Sequence, residues 1–339
     1  YIGLPLLINL ALKSSNPLIV FGGVPGSFLS DLNGFGHYLY GEFWLNLYWI
    51  LFTCILAAIG KIFWNRGFFS SAKERLKLAG QRLNGKTIAY TLFFVFAFVS
   101  VGAYSFYNLK VLNQLEDGDF SEKLNADSEK AYGKYIDKPH VQVIDLKANI
   151  DIYPDERKVD AQGIFKVVNP AEVPIDTLLM EIKFPISDTK ISKVVYNGTE
   201  IRPFLSDSLY RLFIYKLPKA LQPKDTANLV IETKVRTHGF AMDTETAVLG
   251  NGSFFRDAIF PSFHYDRVLS DNGVRKKYGL EELDFLFPPR TDTMALKKNL
   301  FNEDANYMNF EATVSTVKGQ VAIAPGVLTK KWEDGDRSY

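Results

Sequence analysis

The sequence predicts membrane α-helices followed by an all-β domain, an antiparallel β-sandwich or saddle. Two long apolar runs without charge lie in the first third of the 339 residues. From residue 140 onward, the apolar residues recur with the period of two that is typical of strands. Nearly all acidic residues lie beyond residue 115. The two parts of the chain are therefore expected to fold in different solvents.

The apolar runs predict transmembrane helices over residues 43–63 and 87–107. No charge interrupts the chain between Glu42 and Lys61 or between Lys86 and Lys110, and about 20 apolar residues suffice to cross a bilayer. Aromatic residues crowd the ends of both runs, as in the interfacial belts of membrane proteins. The alternative is a pair of helices buried in a soluble core, but such helices rarely stay uncharged for so long.

The basic loop between the runs, residues 64–86, predicts their orientation. An excess of lysine and arginine marks the cytoplasmic side of short membrane loops. The charged residues from the end of the first run onward are Lys61, Arg66, Lys73, Glu74, Arg75, Lys77, Arg82 and Lys86. Residues 1–42 are interpreted as the end of an earlier membrane segment followed by an extracytoplasmic loop. The loop from Ser14 to Glu42 and everything after Lys110 are then expected outside. The prediction is a multi-pass protein of the cell (inner) membrane with an extracytoplasmic β-domain and the lipid bilayer as a partner.

Within this loop, residues 70–86 place Leu76, Leu78 and Leu83 among basic residues. That pattern suits a short helix lying on an anionic leaflet. It also suits ordinary positive-inside charge with no function of its own, and this second interpretation is favoured.

Residues 108–139 are polar and helix-permissive, which predicts a stalk or linker, and residues 140–339 form the predicted β-domain. Short alternating runs between turns predict its strands, and Asn197-Gly198 is the strongest hairpin signal. Further strands are expected in residues 253–266 and 309–328. The apolar run of residues 320–332 precedes a turn after which three residues remain, so the domain is expected to be truncated at its C-terminal end.

Composition excludes several kinds of partner and site. A net charge of +1 offers no argument for binding nucleic acid. The single cysteine, Cys54, lies inside the first apolar run. The β-domain therefore holds no internal disulfide and no Cys/His cluster for structural zinc.

No catalytic or metal-binding motif emerges from the residues. Ser262, His264 and Asp266 stand at alternate positions, but residues two apart on a strand are about 6.5 to 7 Å apart, beyond the roughly 3 Å of a proton relay. The favoured interpretation is a polar face of an edge strand. None of the four histidines belongs to an HExxH motif or has a second histidine at ligand spacing.

Three motifs are the most distinctive parts of the chain: SDLNGFGH in residues 30–37, NGSFF with a later FP in residues 251–261, and FEATVS with QVAIAPG in residues 310–326. Together with the apolar runs and the basic loop, they resemble bacterial membrane proteins that fuse an ABC-2-type permease region to an M1-family (aminopeptidase N-like) peptidase. The resemblance covers essentially the whole chain.

The resemblance implies that residues 140–339 are the amino-terminal saddle domain of an M1 peptidase, membrane-anchored and non-catalytic. A zinc-binding catalytic domain would follow Tyr339, so no cofactor is expected in this chain and zinc is expected in the missing domain. The implied partners are that peptidase domain of the same polypeptide and, in the intact protein, a peptide substrate.

The resemblance also places a substrate cleft. Aligning Phe260-Pro261 with the family's Phe-Pro pair sets residues 250–253, Gly-Asn-Gly-Ser, where a glutamine or glutamate would anchor the substrate amine, so aminopeptidase specificity is in doubt. The residues expected to line the cleft are Asn251, Ser253, Phe254, Phe255, Phe260 and Pro261.

A different class of function remains open, in which the membrane part is the working portion. The chain would then be the permease portion of an ABC-type exporter with an extracytoplasmic accessory β-domain. An ABC ATPase subunit would be a separate partner, since the chain has no Walker motif. A receptor or adhesion module is a third possibility.

Overall fold

The structure, a computed structural model, comprises two compact units. The described residues are 16–24, 29, 34–36, 38–64, 72–113, 118–182, 189–240, 248–249, 252–253, 259–283, 290–293, 296 and 307–339. The helical unit consists of Tyr1–Gly118 with His238–Asp243, and the β unit consists of Asp119–Thr237 with Thr244–Tyr339.

The helical unit contains α1 (Tyr38–Phe63), α2 (Ala72–Arg82) and α3 (Gly85–Phe106), which continues as a π-helical segment over Tyr107–Leu112. The side chain of Asn84 caps α3 by accepting a hydrogen bond from the amide of Thr87 at 2.8 Å. Because no proline interrupts α1 or α3, each apolar run forms one continuous helix.

Two helices, Tyr38–Phe63 and Gly85–Leu112, are long and apolar enough to span a membrane. Only 11% and 0% of their most apolar windows are buried. Core helices of a soluble domain bury most of their apolar side chains. The described helical unit therefore does not match the alternative of two core helices.

The β unit begins with α4 (Gly118–Tyr132) and a 3-10 turn over Gly133–Tyr135. The elements that follow are β1 (Gln142–Tyr153), β2 (Lys158–Val168), β3 (Ile175–Glu181), β4 (Thr189–Tyr196), β5 (Thr199–Glu200), β6 (Pro203–Asp207), β7 (Leu212–Leu221), β8 (Thr226–Arg236), α5 (Asn272–Lys277), β9 (Asn309–Val317), β10 (Glu333–Asp334) and β11 (Arg337–Ser338). The strands form an eight-stranded sheet in the order β10-β11-β9-β1-β2-β8-β4-β5 and a three-stranded sheet in the order β3-β7-β6.

The large sheet is mixed, which modifies the expected antiparallel arrangement. β9 lies parallel to β1, while the other pairs of the sheet are antiparallel. A parallel pair requires a long crossover between its strands, and β1 and β9 are separated by most of the β unit. The small sheet is antiparallel. The predicted class, helices followed by a mostly β domain, is confirmed.

One core lies between the two sheets. Alternate residues of β2 and β8 point into it, including Val159, Val167, Leu229 and Ile231, each fully buried. Residues of β3 and β7 complete this core from the small sheet. The opposite face of the small sheet packs against Tyr132 at the end of α4 and against Tyr135 and Ile136 after it. Both faces of the small sheet are therefore covered.

The hairpins predicted from turn residues form in the expected places. β1 and β2 meet across residues 154–157, and β4 and β5 turn at Asn197-Gly198. Both turn residues adopt positive φ, 46° and 83°, as the tight turns favoured by Asn-Gly require.

Two predicted strands are not seen among the described residues. Residues 253–266 contribute a single bridge, between Ser262 and Glu181, within their described part. Residues 320–332 contain no strand. β11 instead takes the position beside β9, and Pro325, with no amide proton, lies in the middle of the exposed segment.

Candidate functional site

The segment expected to line a substrate cleft is described in part. Asn251, Phe254 and Phe255 lie outside the described residues. The hydroxyl of Ser253 accepts a hydrogen bond from the amide of Leu249 at 3.0 Å and donates to the carbonyl of the same residue at 3.3 Å. This serine therefore closes a local turn with both of its bonds.

Phe260 and Pro261 lie in the core of the β unit. Phe260 is 9% exposed, and its ring meets Phe165 edge-to-face at 5.3 Å. A Cβ atom on Gly163 would lie 2.3 Å from the Phe165 ring and 3.0 Å from the Phe260 ring, so only glycine fits beneath the two rings. The side chain of Thr233 donates to the carbonyl of Ile259 at 2.7 Å, which fixes this segment across β8. The described contacts of Phe260 are core contacts, and a cleft-lining role remains a prediction.

Ser262, His264 and Asp266 do not form a relay. The Ser262 hydroxyl donates to two carbonyl oxygens, of Glu181 at 3.4 Å and of His264 at 3.3 Å. The imidazole Nε2 of His264 instead lies 2.8 Å from Asp266 Oδ1. Among the described residues, the hydrogen bonds of this hydroxyl go to carbonyl oxygens and not to a base that would activate it as a nucleophile.

His264 is buried, 7% exposed, and its ring lies 5.4 Å from the ring of His140. The His264–Asp266 contact differs from expectation because this segment is not a regular strand, so side chains two apart can converge. Metal ligands are a separate question. Over the ranges that the structure describes, His, Cys, Asp and Glu nowhere group in threes in a way that could hold a metal ion, so these residues do not fit a zinc site.

A cluster of ion pairs and hydrogen bonds in the β unit joins α4 to residues around α5. Arg275 donates to both carboxylate oxygens of Glu129, at 2.9 and 2.7 Å, and to the carbonyls of Leu269 and Glu281. The side chains of Arg275 and Glu129 are 2% and 10% exposed. Buried charges of this kind are tolerated when paired and fully hydrogen-bonded.

Burial alone would raise the pKa of Glu129, but the hydrogen bonds and charge of Arg275, together with the charge of Arg267, hold it below its ordinary value. Hydrogen bonds to Asp119 and Glu122 raise the pKa of Lys277 above its ordinary range. Two carboxylates in the first turns of α4 therefore contact the ammonium of Lys277 at the end of α5.

Tyrosine hydroxyls extend this contact along α4. The hydroxyls of Ser128 and Tyr265 share a hydrogen bond of 2.7 Å, and Tyr132 donates to Asp207 at 2.6 Å. The bond to Asp207, followed by burial, raises the pKa of Tyr132 to about 12. Burial raises the pKa of Tyr265 to about 12 as well. Residues 118–135 are thus held to the β unit along their length, and the division into a stalk and a domain remains a prediction.

An aromatic cluster joins the start of α1 to the end of α3 in the helical unit. Phe240, 1% exposed, packs edge-to-face on Tyr40 at 5.8 Å and on Tyr104 at 5.9 Å. The hydroxyls of Tyr40 and Tyr104 are 2.6 Å apart. A Cβ atom on Gly41 would lie 3.3 Å from the Phe240 side chain. The segment that follows β8 therefore contributes a buried ring to the helical unit.

Sequence patterns did not identify Phe240, Arg275 or the His140–His264 contact as important. Phe240 stands in a short segment without strand or helix periodicity. Arg275 begins a basic run, Arg275-Lys276-Lys277, of the kind usually found on a solvated surface. The partners of all three are more than 100 residues away in sequence, so no local signal could have found them.

Comparison with known proteins gives structural neighbours that are M1 zinc metallopeptidases. The enzyme from Deinococcus radiodurans is 12% identical, with a TM-score of 0.35 over 59% of this chain and 38% of that chain. A mutant of it bound to a Tyr-Ser-Ala substrate is 13% identical, with the same coverage and TM-score. A two-domain M1 zinc metallopeptidase mutant bound to L-tryptophan is 16% identical, with a TM-score of 0.24 over 29% of this chain and 21% of that chain.

This chain therefore spans 21% to 38% of the length of these structures. No protein-family model matches it, and no curated protein matches it by sequence.

Proposed function

We propose that this chain is the membrane-anchored, non-catalytic β-domain of an M1-like zinc metallopeptidase. The observation that carries the proposal is the order of its parts. Two unburied helices of membrane-spanning length are followed by a mostly β unit that contains the motifs resembling an M1 amino-terminal domain. One motif forms β9, and the Phe260-Pro261 pair packs over β2.

The proposed role of the β unit is to support a peptidase domain of the same polypeptide. That domain would hold the zinc ion and the catalytic residues, because the residues described in this chain do not fit a zinc site. A catalytic zinc lowers the pKa of a bound water and polarises the peptide carbonyl. The contribution of this chain would be to one wall of the cleft that receives the peptide substrate.

Residues 250–253 bear on which peptides would bind. They stand where the resemblance places a glutamate or glutamine that anchors the amine of the substrate, and Gly-Asn-Gly-Ser supplies neither. A free amine held by a carboxylate gains a charge-assisted hydrogen bond. Without it, preference for a free amino terminus should be weak in the intact protein.

Zinc content and hydrolysis test the proposal when the whole native polypeptide is compared with residues 1–339, purified in the same detergent. We expect the whole polypeptide to carry about one zinc ion per chain, as catalytic sites of this type do, and to hydrolyse peptide substrates in a chelator-sensitive manner. Residues 1–339 should show neither property, with or without added zinc. Chelator-sensitive hydrolysis that copurifies with residues 1–339 would contradict the proposal.

The anchoring proposal places the β unit outside the cytoplasm of the cell, beyond the inner membrane. A reporter fused after Lys77 should then behave as a cytoplasmic marker, and one fused after Asn125 as an extracytoplasmic marker. Orientation depends on the basic loop, so replacing four of its cations by glutamine should scramble it. The residues to replace are Lys73, Arg75, Lys77 and Arg82. If the orientation stays unchanged, the basic loop does not set it.

A further inference from the structure

An open cleft lies in the helical unit where α1 ends and α3 begins. Lys61, from the last turn of α1, and Arg82, from the end of α2, provide its cations. Ala57 and Ile62 give it an apolar side, and Asn84 adds an amide. Among the described residues that line the cleft, there is no carboxylate.

Arg82 is held in place by the end of α1. One of its terminal nitrogens, Nη1, donates to the carbonyl of Ile62 at 3.4 Å and to the carbonyl of Trp64. These carbonyls belong to the last turn and the first residue beyond the helix, where acceptors lack helical partners. The other donors of the guanidinium make no hydrogen bond with any described residue, and guanidinium groups suit phosphate oxygens. The ammonium of Lys61 makes no hydrogen bond or ion pair with any described residue.

Apolar surface continues from the cleft along the helices. Ile50 lies seven residues before Ala57, hence on the same face of α1, and is 57% exposed. Tyr90, three residues after Thr87 of the cleft, is 64% exposed on α3. Trp64 stands at the mouth of the cleft and is 68% exposed, as expected of a ring at the level of lipid headgroups. A ligand with an anionic head and apolar chains would match a basic cleft that continues into apolar surface.

We propose that this cleft binds one anionic phospholipid, with its headgroup phosphate between Lys61 and Arg82 and its acyl chains along α1 and α3. The inference rests on the membrane insertion that the proposed function includes. Basic pockets between membrane helices bind anionic headgroups in this way. This proposal assigns a specific ligand to the end of the basic loop. The positive-inside rule alone requires only an excess of cations and no ligand.

Lipid retention by the purified full chain tests the site. The chain is kept in neutral detergent, where no leaflet potential acts, and native mass spectrometry measures bound lipid with phosphatidylglycerol or phosphatidylcholine at equal concentration. Phosphatidylglycerol should be retained, and phosphatidylcholine much less. Loss of one cation should lower retention about fivefold in Lys61→Gln and loss of both about 25-fold in the double variant Lys61→Gln/Arg82→Gln.

Matched variants separate a site from general charge. Lys77 is exposed on α2 and does not line the cleft, so Lys77→Gln should change retention less than about twofold. Lys61→Arg keeps the charge and should keep retention. If Arg82→Gln loosens the end of α1, seen as lost helix content, the test stands on the Lys61 variants alone.

Several outcomes overturn the proposal. Equal retention by the wild type and Lys61→Gln, or equal retention of the two lipids, removes the site. Displacement of phosphatidylglycerol by an equal concentration of inorganic phosphate would assign the cleft to phosphate ions and not to a lipid. Alkaline carbonate extraction reports membrane insertion separately, so failure of the lipid site is distinguishable from failure of anchoring. Zinc and hydrolysis measurements address the peptidase role independently.

Discussion

α3 and β2 are both rich in apolar residues, yet they expose them in opposite ways. Phe96 and Val99 of α3 are 73% and 60% exposed, whereas Val167 and Phe165 of β2 are 0% and 4% exposed. The apolar side chains of β2 pack in the core of the β unit. α3 leaves its apolar side chains exposed, and the proposed function places lipid around them. Hydrophobicity alone therefore does not distinguish the two regions; exposure of the same residue type does.

The largest expected effect is the difference in free energy of unfolding between two phenylalanine truncations, Phe165→Ala and Phe96→Ala. Phe165→Ala removes a ring that packs on Phe260 and Phe263 and should lower the free energy of unfolding of the β unit by about 3 to 5 kcal/mol. Phe96→Ala should change it by less than about 0.5 kcal/mol. Urea denaturation of the full chain in mild detergent, followed by the circular dichroism of the strands, measures both. Equal losses would mean that Phe96 also packs in the folded chain.

Charge gives a second contrast, because the β unit buries an ion pair whereas α3 contains no charge after its first turn. Arg275→Met leaves Glu129 buried without its bidentate partner and should cost on the order of 3 kcal/mol. The double variant Arg275→Met/Glu129→Leu should recover most of this loss, since no buried unpaired charge then remains; Arg267, which also contacts Glu129, is 38% exposed. A loss that stays unrecovered would assign the effect to packing and not to the charge. Urea midpoints of the three proteins decide between these outcomes.

Acid should act on the same pair. The folded-state pKa of Glu129 lies below its ordinary value of 4.5, so the carboxylate contributes stability above about pH 4.5 that is lost as the pH falls through the lower folded value. Glu129→Gln should therefore flatten the decline of stability on acidification. Unfolding midpoints at a series of pH values, compared between the wild type and this variant, provide the measurement. Identical pH profiles would contradict the assigned shift.

Sequence reasoning succeeded where the signal is local. The apolar runs predicted α1 and α3, and Asn197-Gly198 predicted a hairpin, because helix length, alternation and turn conformation depend on neighbouring residues. It failed for residues 320–332, whose alternation resembles a strand but whose place beside β9 is taken by β11. Whether a segment pairs as a strand depends on partners far along the chain. Alternation of apolar and polar residues does not identify those partners.

The candidate site shows the same limit. Phe260 was singled out by its motif, and the structure gives it core contacts that the motif does not predict. The sequence does not predict the burial of Arg275, because its partner Glu129 is distant along the chain. Burial of a charge depends on the assembled fold, so a run of basic residues cannot reveal which of them is paired.

A smaller effect is expected for the hydroxyl of Tyr132 in the β unit. Its hydrogen bond to Asp207 raises its pKa to about 12, so it stabilises the fold fully below about pH 10 and loses that contribution as the pH rises toward 12. Tyr132→Phe should cost about 1 kcal/mol at neutral pH and reduce the alkaline loss. The pKa values of Tyr215 and Tyr265 are also raised to about 12. Part of the alkaline loss of stability should therefore remain in the Tyr132→Phe variant. An unchanged alkaline profile would contradict the contribution of Tyr132.

The smallest effect on stability should come from apolar residues that the β unit exposes to water. Ile323 and Val327 are 85% and 92% exposed in the segment before β10. Replacing both by serine, Ile323→Ser/Val327→Ser, should change the free energy of unfolding by less than about 0.5 kcal/mol, since neither side chain loses a packed environment. The same change should reduce self-association, because contiguous apolar surface in water promotes contact between copies.

Light scattering of the full chain after size-exclusion chromatography measures that association, and the exposed Thr329→Ala serves as the matched control. Phe96→Ser, at an exposed position of α3, should leave association in detergent unchanged, because detergent already covers that surface. A loss above about 1 kcal/mol in the Ile323→Ser/Val327→Ser variant would show that the segment packs against folded chain. In that case the exposed apolar side chains of residues 320–332 would differ from those of α3 in contributing to the folded β unit.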